Sequence, residues 1–249
     1  MNRPHLMTYR PALLFVVLLT AAGTAFGQNV ARTTFREQAV EYARNRYLRS
    51  TADQARLYNG PEFIPYSPNI KGHPYLDSLW QTGSVQYDGV LYRNISLLYD
   101  VVGDAVIVPH SDSLYRIRLQ SMRIGGFDLP GHTFIRVDAD SARNSGLKTG
   151  FYDRLYDGRR VDLLAKRVKT IKTDFVHGAV VEEYLNGDTY YIGRNGVFTP
   201  VRSKRAVLAM FADQKKPLRK YLRENRIKFR RDREGAIVKL TRRYDETSQ

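Results

Sequence analysis

Between residues 83 and 201 the chain repeatedly interrupts short runs of β-branched and aromatic residues with dipeptides suited to tight turns. Asp88-Gly89, Asp157-Gly158 and Asn195-Gly196 are each flanked by such runs, and Gly103-Asp104 and Asn186-Gly187-Asp188 read as further turns. Asx-Gly pairs supply the positive φ angles that a two-residue hairpin requires. Where a period is visible it is two: Leu114-Tyr115-Arg116-Ile117-Arg118-Leu119 and Phe134-Ile135-Arg136-Val137 alternate, so one face is buried and the other wet. No long helical pattern separates the runs, which excludes a parallel, doubly wound sheet. The expected fold is therefore α+β and mainly β. It is an antiparallel meander of about eight to ten strands forming a curved sheet or partial barrel, because a flat sheet of that width is unusual. An outer-membrane barrel needs regular segments of about 9–11 residues with apolar outward faces. The runs here are shorter and rich in arginine, which favours a soluble or peripheral protein.

Helical segments flank this zone. In residues 28–82, Thr34 and Glu37 have the spacing of a capping box, and Phe35, Ala39, Tyr42, Ala43 and Tyr47 can share one helix face. Thr51 is placed to cap a second short helix ending at Asn59-Gly60. Pro61, Pro65, Pro68 and Pro74 then forbid a long regular element, while Phe63, Tyr66, Tyr75 and Trp80 offer apolar surface to bury. This reads as an irregular flap over a sheet edge, with an aromatic ligand cradle as the alternative. In residues 202–249, Ser203 can cap a helix carrying Val207, Leu208 and Phe211. Pro217 restarts it with Leu218, Tyr221 and Leu222, and Asp232 can cap a last helix carrying Ala236, Ile237, Leu240 and Tyr244. No polar low-complexity run divides these zones, so residues 28–249 read as a single domain.

The N-terminus carries Arg3 and Arg10, an unbroken apolar stretch from Ala12 to Ala22, and small residues at Gly23, Ala25 and Gly27. This is the pattern of a secretory signal peptide over 1–27, too short to span a bilayer. Cleavage is expected after Gly27, or alternatively after Ala25. The chain of 249 residues contains no cysteine, which excludes disulfides, thiolate metal sites, a Cys nucleophile and a lipidated cysteine anchor. An exported chain without disulfides must rely on its own core, which favours a bacterial periplasmic or outer-envelope location. In that setting the Asn94-Ile95-Ser96 sequon is coincidental.

No motif announces a reaction. There is no Gly-x-Ser-x-Gly elbow, His-Glu-x-x-His pair, Walker loop or dinucleotide-binding glycine set, and neither cofactor nor metal is expected. His73, His110, His132 and His177 are never at ligand spacing. His73, between Gly72 and Pro74 in the flap, is the candidate to test first. Asp138, Asp140 and Asn144 hint at a calcium loop, but the positions that should be Gly and Glu are Arg143 and Thr149. Glu182 and Glu183 are adjacent and would face opposite sides of a strand, a poor acid–base pair.

The concentrated signal is charge. Lys and Arg number 40 against 25 Asp and Glu, for a net +15. Residues 202–249 hold 16 of the bases and only six of the acids, a net +10, whereas 28–200 carry +3. Lys215, Lys216, Arg219, Lys220 and Arg223 spread along one helix surface opposite Leu218 and Leu222, and Arg226, Lys228, Arg230 and Arg231 continue it. Such a surface suits an anionic lipid headgroup, lipopolysaccharide or an acidic protein. Nucleic acid is not expected for an exported chain, and a merely solvated helix face is the plainer alternative.

The pattern Leu57-Tyr58-Asn59-Gly60, Gly72-His73-Pro74, Gly83-Ser84-Val85 with Tyr87, Gly89 and Tyr92, Leu98-Tyr99-Asp100, Gly150-Phe151-Tyr152 and Leu155-Tyr156-Asp157-Gly158 resembles exported Bacteroidetes proteins of unassigned function. That resemblance, with the basic helical ending, implies export and a β-rich domain. Two functional expectations follow. The first is a non-enzymatic envelope protein that binds or scaffolds an anionic partner. The alternative is a secreted hydrolase or carbohydrate-processing enzyme using the concave face of the sheet with His73 or an aspartate.

Overall fold

The computed structural model describes residues 36–37, 39–44, 56–110, 115–139 and 146–247. The signal peptide, the Thr34 cap, the Thr51 cap and the rejected calcium-loop positions Asp140, Arg143 and Asn144 lie outside them; the end of the helix expected after Thr51 is described, as a 3-10 turn over Arg56–Tyr58 just before Asn59-Gly60. The chain divides into two units, Met1–Ala52 and Asp53–Gln249. In the first, the described residues are helical and exposed; all that follows concerns the second.

Among its described residues twelve strands form two antiparallel sheets, more than the eight to ten expected. Ten belong to one sheet: β1 (Gln81–Tyr87), β2 (Val90–Asp100), β3 (Ala105–Pro109), β4 (Arg116–Arg118), β5 (Ile124–Leu129), β6 (His132–Val137), β7 (Gly150–Asp157), β8 (Asp162–Lys166), β11 (Thr189–Arg194) and β12 (Val197–Val201). Their order is β12-β11-β8-β7-β6-β5-β1-β2-β3-β4. The surplus over expectation is a separate ribbon, β9 (Lys169–Val176) and β10 (Ala179–Asn186), inserted between β8 and β11.

Turn chemistry explains most of the hairpins. Tyr87 pairs with Val90 around Asp88-Gly89 (φ 52° and 75°), and Arg194 pairs with Val197 around Asn195-Gly196 (φ 51° and 78°), the positive φ pair of the tight hairpin turn. His177-Gly178 closes the β9–β10 ribbon in the same way. Two expected turns differ. Residues 158–161 form a longer loop between β7 and β8, and Asn186-Gly187-Asp188 joins two different sheets.

The main sheet curls without closing, as expected of a partial barrel. The long β2 pairs with β1 through its first part and with β3 through its last residues. Inside the curl the Tyr99 ring meets Phe127, Phe134 and Phe151 at centroid distances of 5.1, 4.8 and 6.3 Å. This apolar filling comes from alternate positions of β2, β5, β6 and β7, each presenting one face inward. Asp104, in the β2–β3 turn, latches the curl. It accepts from the Tyr99 hydroxyl and the Lys166 ammonium, each at 2.6 Å, and from the Phe151 N–H at 3.2 Å.

The flap over residues 56–80 packs Phe63, Tyr66, Tyr75 and Trp80 against Leu98 and Ile107, covering the sheet as expected. At the other end, α1 (Lys204–Met210), α2 (Lys215–Glu224) and α3 (Arg233–Thr247) lie on one face of β8, β11 and β12. Leu163, Ala165, Tyr190 and Ile192 meet Val207, Leu208, Phe211, Leu218, Leu222, Ile237, Leu240 and Tyr244 there. Leu164 points the other way, into a cluster with Val137, Tyr152 and Phe198. Both faces of β8 are thus buried, which is why Leu163-Leu164-Ala165 reads as a continuous apolar run rather than an alternation. Among the described residues no helix is long and apolar enough to cross a membrane.

Candidate anion-binding surface

The helices that complete the core also carry the charge. On α2, Leu218 and Leu222 are one turn apart and buried, while Lys215, Lys216, Arg219, Lys220 and Arg223 are all exposed. The structure therefore brings these five residues together on the outer surface of one amphipathic helix. Among the described residues only Lys220 has an ion-pair partner, Glu224 at 3.7 Å, and an exposed i,i+4 pair of this kind is worth little. After α2 the chain runs through exposed Arg226 and Lys228 to a groove.

That groove, of about 790 Å³, lies where β12 hands over to α1 and where the loop after α2 enters α3. Its cations are Arg202, Lys204, Arg230, Arg231 and Arg233, with Tyr190 and Phe229 in its wall. Two capped helix starts make it. Ser203 Oγ accepts from the Ala206 N–H at 3.2 Å, and Asp232 Oδ1 accepts from the Gly235 N–H at 2.8 Å. Sequence reasoning identified both caps and the run to Arg231, but not that Arg202, Lys204 and Arg233 meet that run in space. The signal was present: both caps are bracketed by basic residues, as Arg202-Ser203-Lys204 and Arg231-Asp232-Arg233.

Four of the six acids in residues 202–249, Asp213, Asp232, Glu234 and Asp245, serve local structure, while Glu224 and Glu246 are exposed. Asp213 accepts from the Tyr244 hydroxyl at 3.0 Å. Asp245 accepts from the Tyr156 hydroxyl at 3.0 Å and from the N–H groups of Arg159 and Arg160 at 3.0 and 2.9 Å. Glu234 accepts from Tyr190 at 3.1 Å and from Arg167. Burial and then the Glu234 carboxylate raise the Tyr190 phenol above its usual pKa, keeping it a donor. With the acids held this way, no groove cation has an ion-pair partner among the described residues.

Arg167 anchors the floor behind Glu234. Its guanidinium, 8% exposed, bonds Asp153, Asp188 and Glu234 at 2.5, 2.9 and 2.5 Å. Burial alone would lower its pKa, but Glu234, Asp153 and Asp188 outweigh burial and raise it. Asp153 also meets His132 Nδ1 at 2.6 Å. This His–Asp–Arg chain was not legible in sequence, because His132, Asp153 and Arg167 lie on or just beyond three neighbouring strands.

His73, the flap candidate, belongs to a strut. Lys169 Nζ donates to the carbonyls of His73 and Tyr75 at 3.0 and 2.6 Å and lies 3.5 Å from His73 Nδ1. Burial first, then the Lys169 charge, lower the His73 pKa, so the ring is neutral at neutral pH. Glu182 accepts from Thr173 Oγ1 at 3.3 Å and, on an alternating strand, faces away from Glu183. Among the described residues no group of three or more His, Asp or Glu is arranged to hold a metal ion.

No family model matches this chain, and neither a curated protein nor a solved structure matches it significantly.

Proposed function

We propose that this protein is exported to the bacterial envelope and acts there as a binding or scaffolding domain for an anionic, phosphate-bearing surface. The outer face of α2 and the adjoining groove are its contact region. One observation carries this reading: in a segment of net +10, four of the six carboxylates cap a helix, hold tyrosines or bind Arg167, while the cations stand outward and only Lys220 makes an ion pair among the described residues, the exposed one with Glu224. Charge left uncompensated on a rigid support is available to a partner at no cost of breaking internal pairs. The support is held in place because eight side chains between Val207 and Tyr244, seven on the helices and Phe211 just after α1, pack into a core with β8 and β11. Removing residues 202–249 would therefore unfold the protein, so the surface must be tested by substitution.

The test is co-sedimentation of the chain from residue 28 with vesicles of anionic or zwitterionic phospholipid across a salt series. Each basic residue near an anionic surface contributes about 1 kcal/mol. Reversing three charges at once, as Lys215→Glu with Lys216→Glu and Arg219→Glu, should therefore weaken binding by at least two orders of magnitude. Arg230→Glu with Arg231→Glu should weaken it by at least one. Unsubstituted protein should bind anionic vesicles at low salt and leave them near ~1 M salt, where the screening length falls to ~3 Å. Binding indifferent to salt and to both sets of substitutions would overturn the proposal.

A further inference from the structure

Four strand edges border the two sheets, and three are guarded. Beside β4, the Phe63 N–H bonds the Arg116 carbonyl at 2.8 Å and the Arg118 N–H bonds the Pro61 carbonyl at 2.9 Å. The edge strand β12 is five residues long and contains Pro200, which has no N–H to offer. Beside β10, Lys71 donates to the Glu182 carbonyl at 2.9 Å and accepts from the Tyr184 N–H at 3.1 Å. The fourth edge, β9, runs for eight residues, and among the described residues no backbone group pairs with its outer side.

The Lys71 bonds fix which β9 groups are free. Glu182 and Tyr184 turn their backbone groups away from β9, so their cross-strand neighbours Thr173 and Ile171 sit in non-hydrogen-bonded pairs. Ile171, Thr173 and, two residues on, Phe175 therefore point N–H and C=O outward along an open edge. Natural proteins seldom leave such an edge unmanaged. This one also carries apolar side chains in the open: Phe175 is 80% exposed, its cross-strand neighbour Val180 57% and Ile171 37%.

We propose that the outer edge of β9 is a self-association site, at which two copies of this chain pair antiparallel about a two-fold axis through Thr173. The sequence of the strand, Lys169-Thr-Ile-Lys-Thr-Asp-Phe-Val176, is complementary to its own reverse about that residue. Thr173 meets Thr173 of the second copy, Lys172 meets Asp174 of the second copy twice over, and Ile171 meets Phe175 twice over. Opposite residues share a face. One face of the resulting four-stranded sheet thus continues Glu183–Lys172 into Asp174 of the second copy, and the other continues Tyr184–Ile171 into its Phe175. A lone lysine on an edge repels a second copy. Here Asp174, which now holds Lys172 within the chain at 2.6 Å, turns the same lysine into half of a matched pair. The contact is closed and isologous, so it yields a dimer rather than a fibre.

Sedimentation equilibrium on the chain from residue 28 tests this, with thermal unfolding of each variant as a check on folding. An interface this small is expected to associate in the upper micromolar range. Thr173→Pro removes an outward-facing N–H and the exposed side-chain bond from Thr173 to Glu182, leaves the backbone bonds between β9 and β10 intact, and should give single-chain mass. Asp174→Lys sets lysines against lysines and should do the same, and Lys172→Asp sets aspartates against aspartates. Mixing the last two variants recreates both opposite-charge contacts and should restore two-chain mass. A single-chain mass for the unsubstituted protein up to about 1 mM would overturn the proposal. So would a dimer that survives Thr173→Pro, or a mixture of the two charge variants that stays monomeric while both remain folded.

Discussion

Arg167 and Arg231 flank the start of α3 and have opposite fates. Arg167 is buried and holds three carboxylates, whereas Arg231 is exposed in the groove and pairs with none among the described residues. The residue between these two worlds is Glu234, which lines the groove yet turns its carboxylate back to Arg167 and Tyr190. A count of charges does not distinguish the two arginines; the direction of the nearby acids does. A buried cation is tolerated only when its partners surround it, and collecting those partners inward leaves the outer cations uncompensated.

The strongest way to break this contrast is to remove the inner arginine. Arg167→Met leaves Asp153, 1% exposed in its side chain, without its main cation, and leaves Asp188 and Glu234 facing it. Stripping one partner from a buried ion pair costs about 3–5 kcal/mol, to be read as a lowered urea midpoint. Arg167→Lys should recover only part of that, since one ammonium cannot reproduce a fork bonding three carboxylates. A loss under about 1 kcal/mol in the methionine variant would show that the hub is not structural.

The same contrast marks what was legible in the sequence. The hairpin turns, the caps at Ser203 and Asp232 and the apolar and basic sides of α2 were readable, because each depends on residues within one turn or one helix. The Arg167 hub was not, since Asp153, Asp188 and Glu234 are separated from it by 14, 21 and 67 positions. The groove failed half-way: its run to Arg231 was local, and the meeting with Arg202 and Lys204 was not. The β9–β10 ribbon escaped for another reason. Its turn is His177-Gly178, which is not among the Asn-Gly, Asp-Gly and Gly-Gly pairs that mark a two-residue hairpin, so the usual turn signal was missing.

An intermediate effect is expected at Asp245, where an acid of α3 organises the β7–β8 loop instead of pairing with a cation. Burial pushes its pKa up, but the N–H groups of Arg159 and Arg160 and the Tyr156 hydroxyl outweigh that and hold it below the ordinary carboxyl value. Asp245→Ala removes three hydrogen bonds whose donors water can reach in its place, and should cost about 0.5–1.5 kcal/mol. The sign of the pH dependence follows. The folded state prefers the ionised carboxyl, so the stabilisation is complete above the unfolded pKa of about 3.9 and is lost as pH falls through the lower folded value. Urea midpoints of the protein and of Asp245→Asn should therefore differ by a constant amount near neutrality and converge in strong acid. A gap that widens on acidification would contradict this assignment.

The smallest effect sharpens the comparison most. Arg230→Glu with Arg231→Glu changes two exposed cations that have no ion-pair partner among the described residues. Surface substitutions of this kind shift stability by no more than about 0.5 kcal/mol each. At low salt the double variant should even gain slightly, because relieving repulsion among Arg202, Lys204 and Arg233 offsets whatever the longer side chains contributed by packing. The urea midpoint at low and high salt measures this directly, and the small gain should vanish on screening. A loss approaching that of Arg167→Met would assign these arginines to the fold and remove the basis for treating the groove as a surface held ready for an anion.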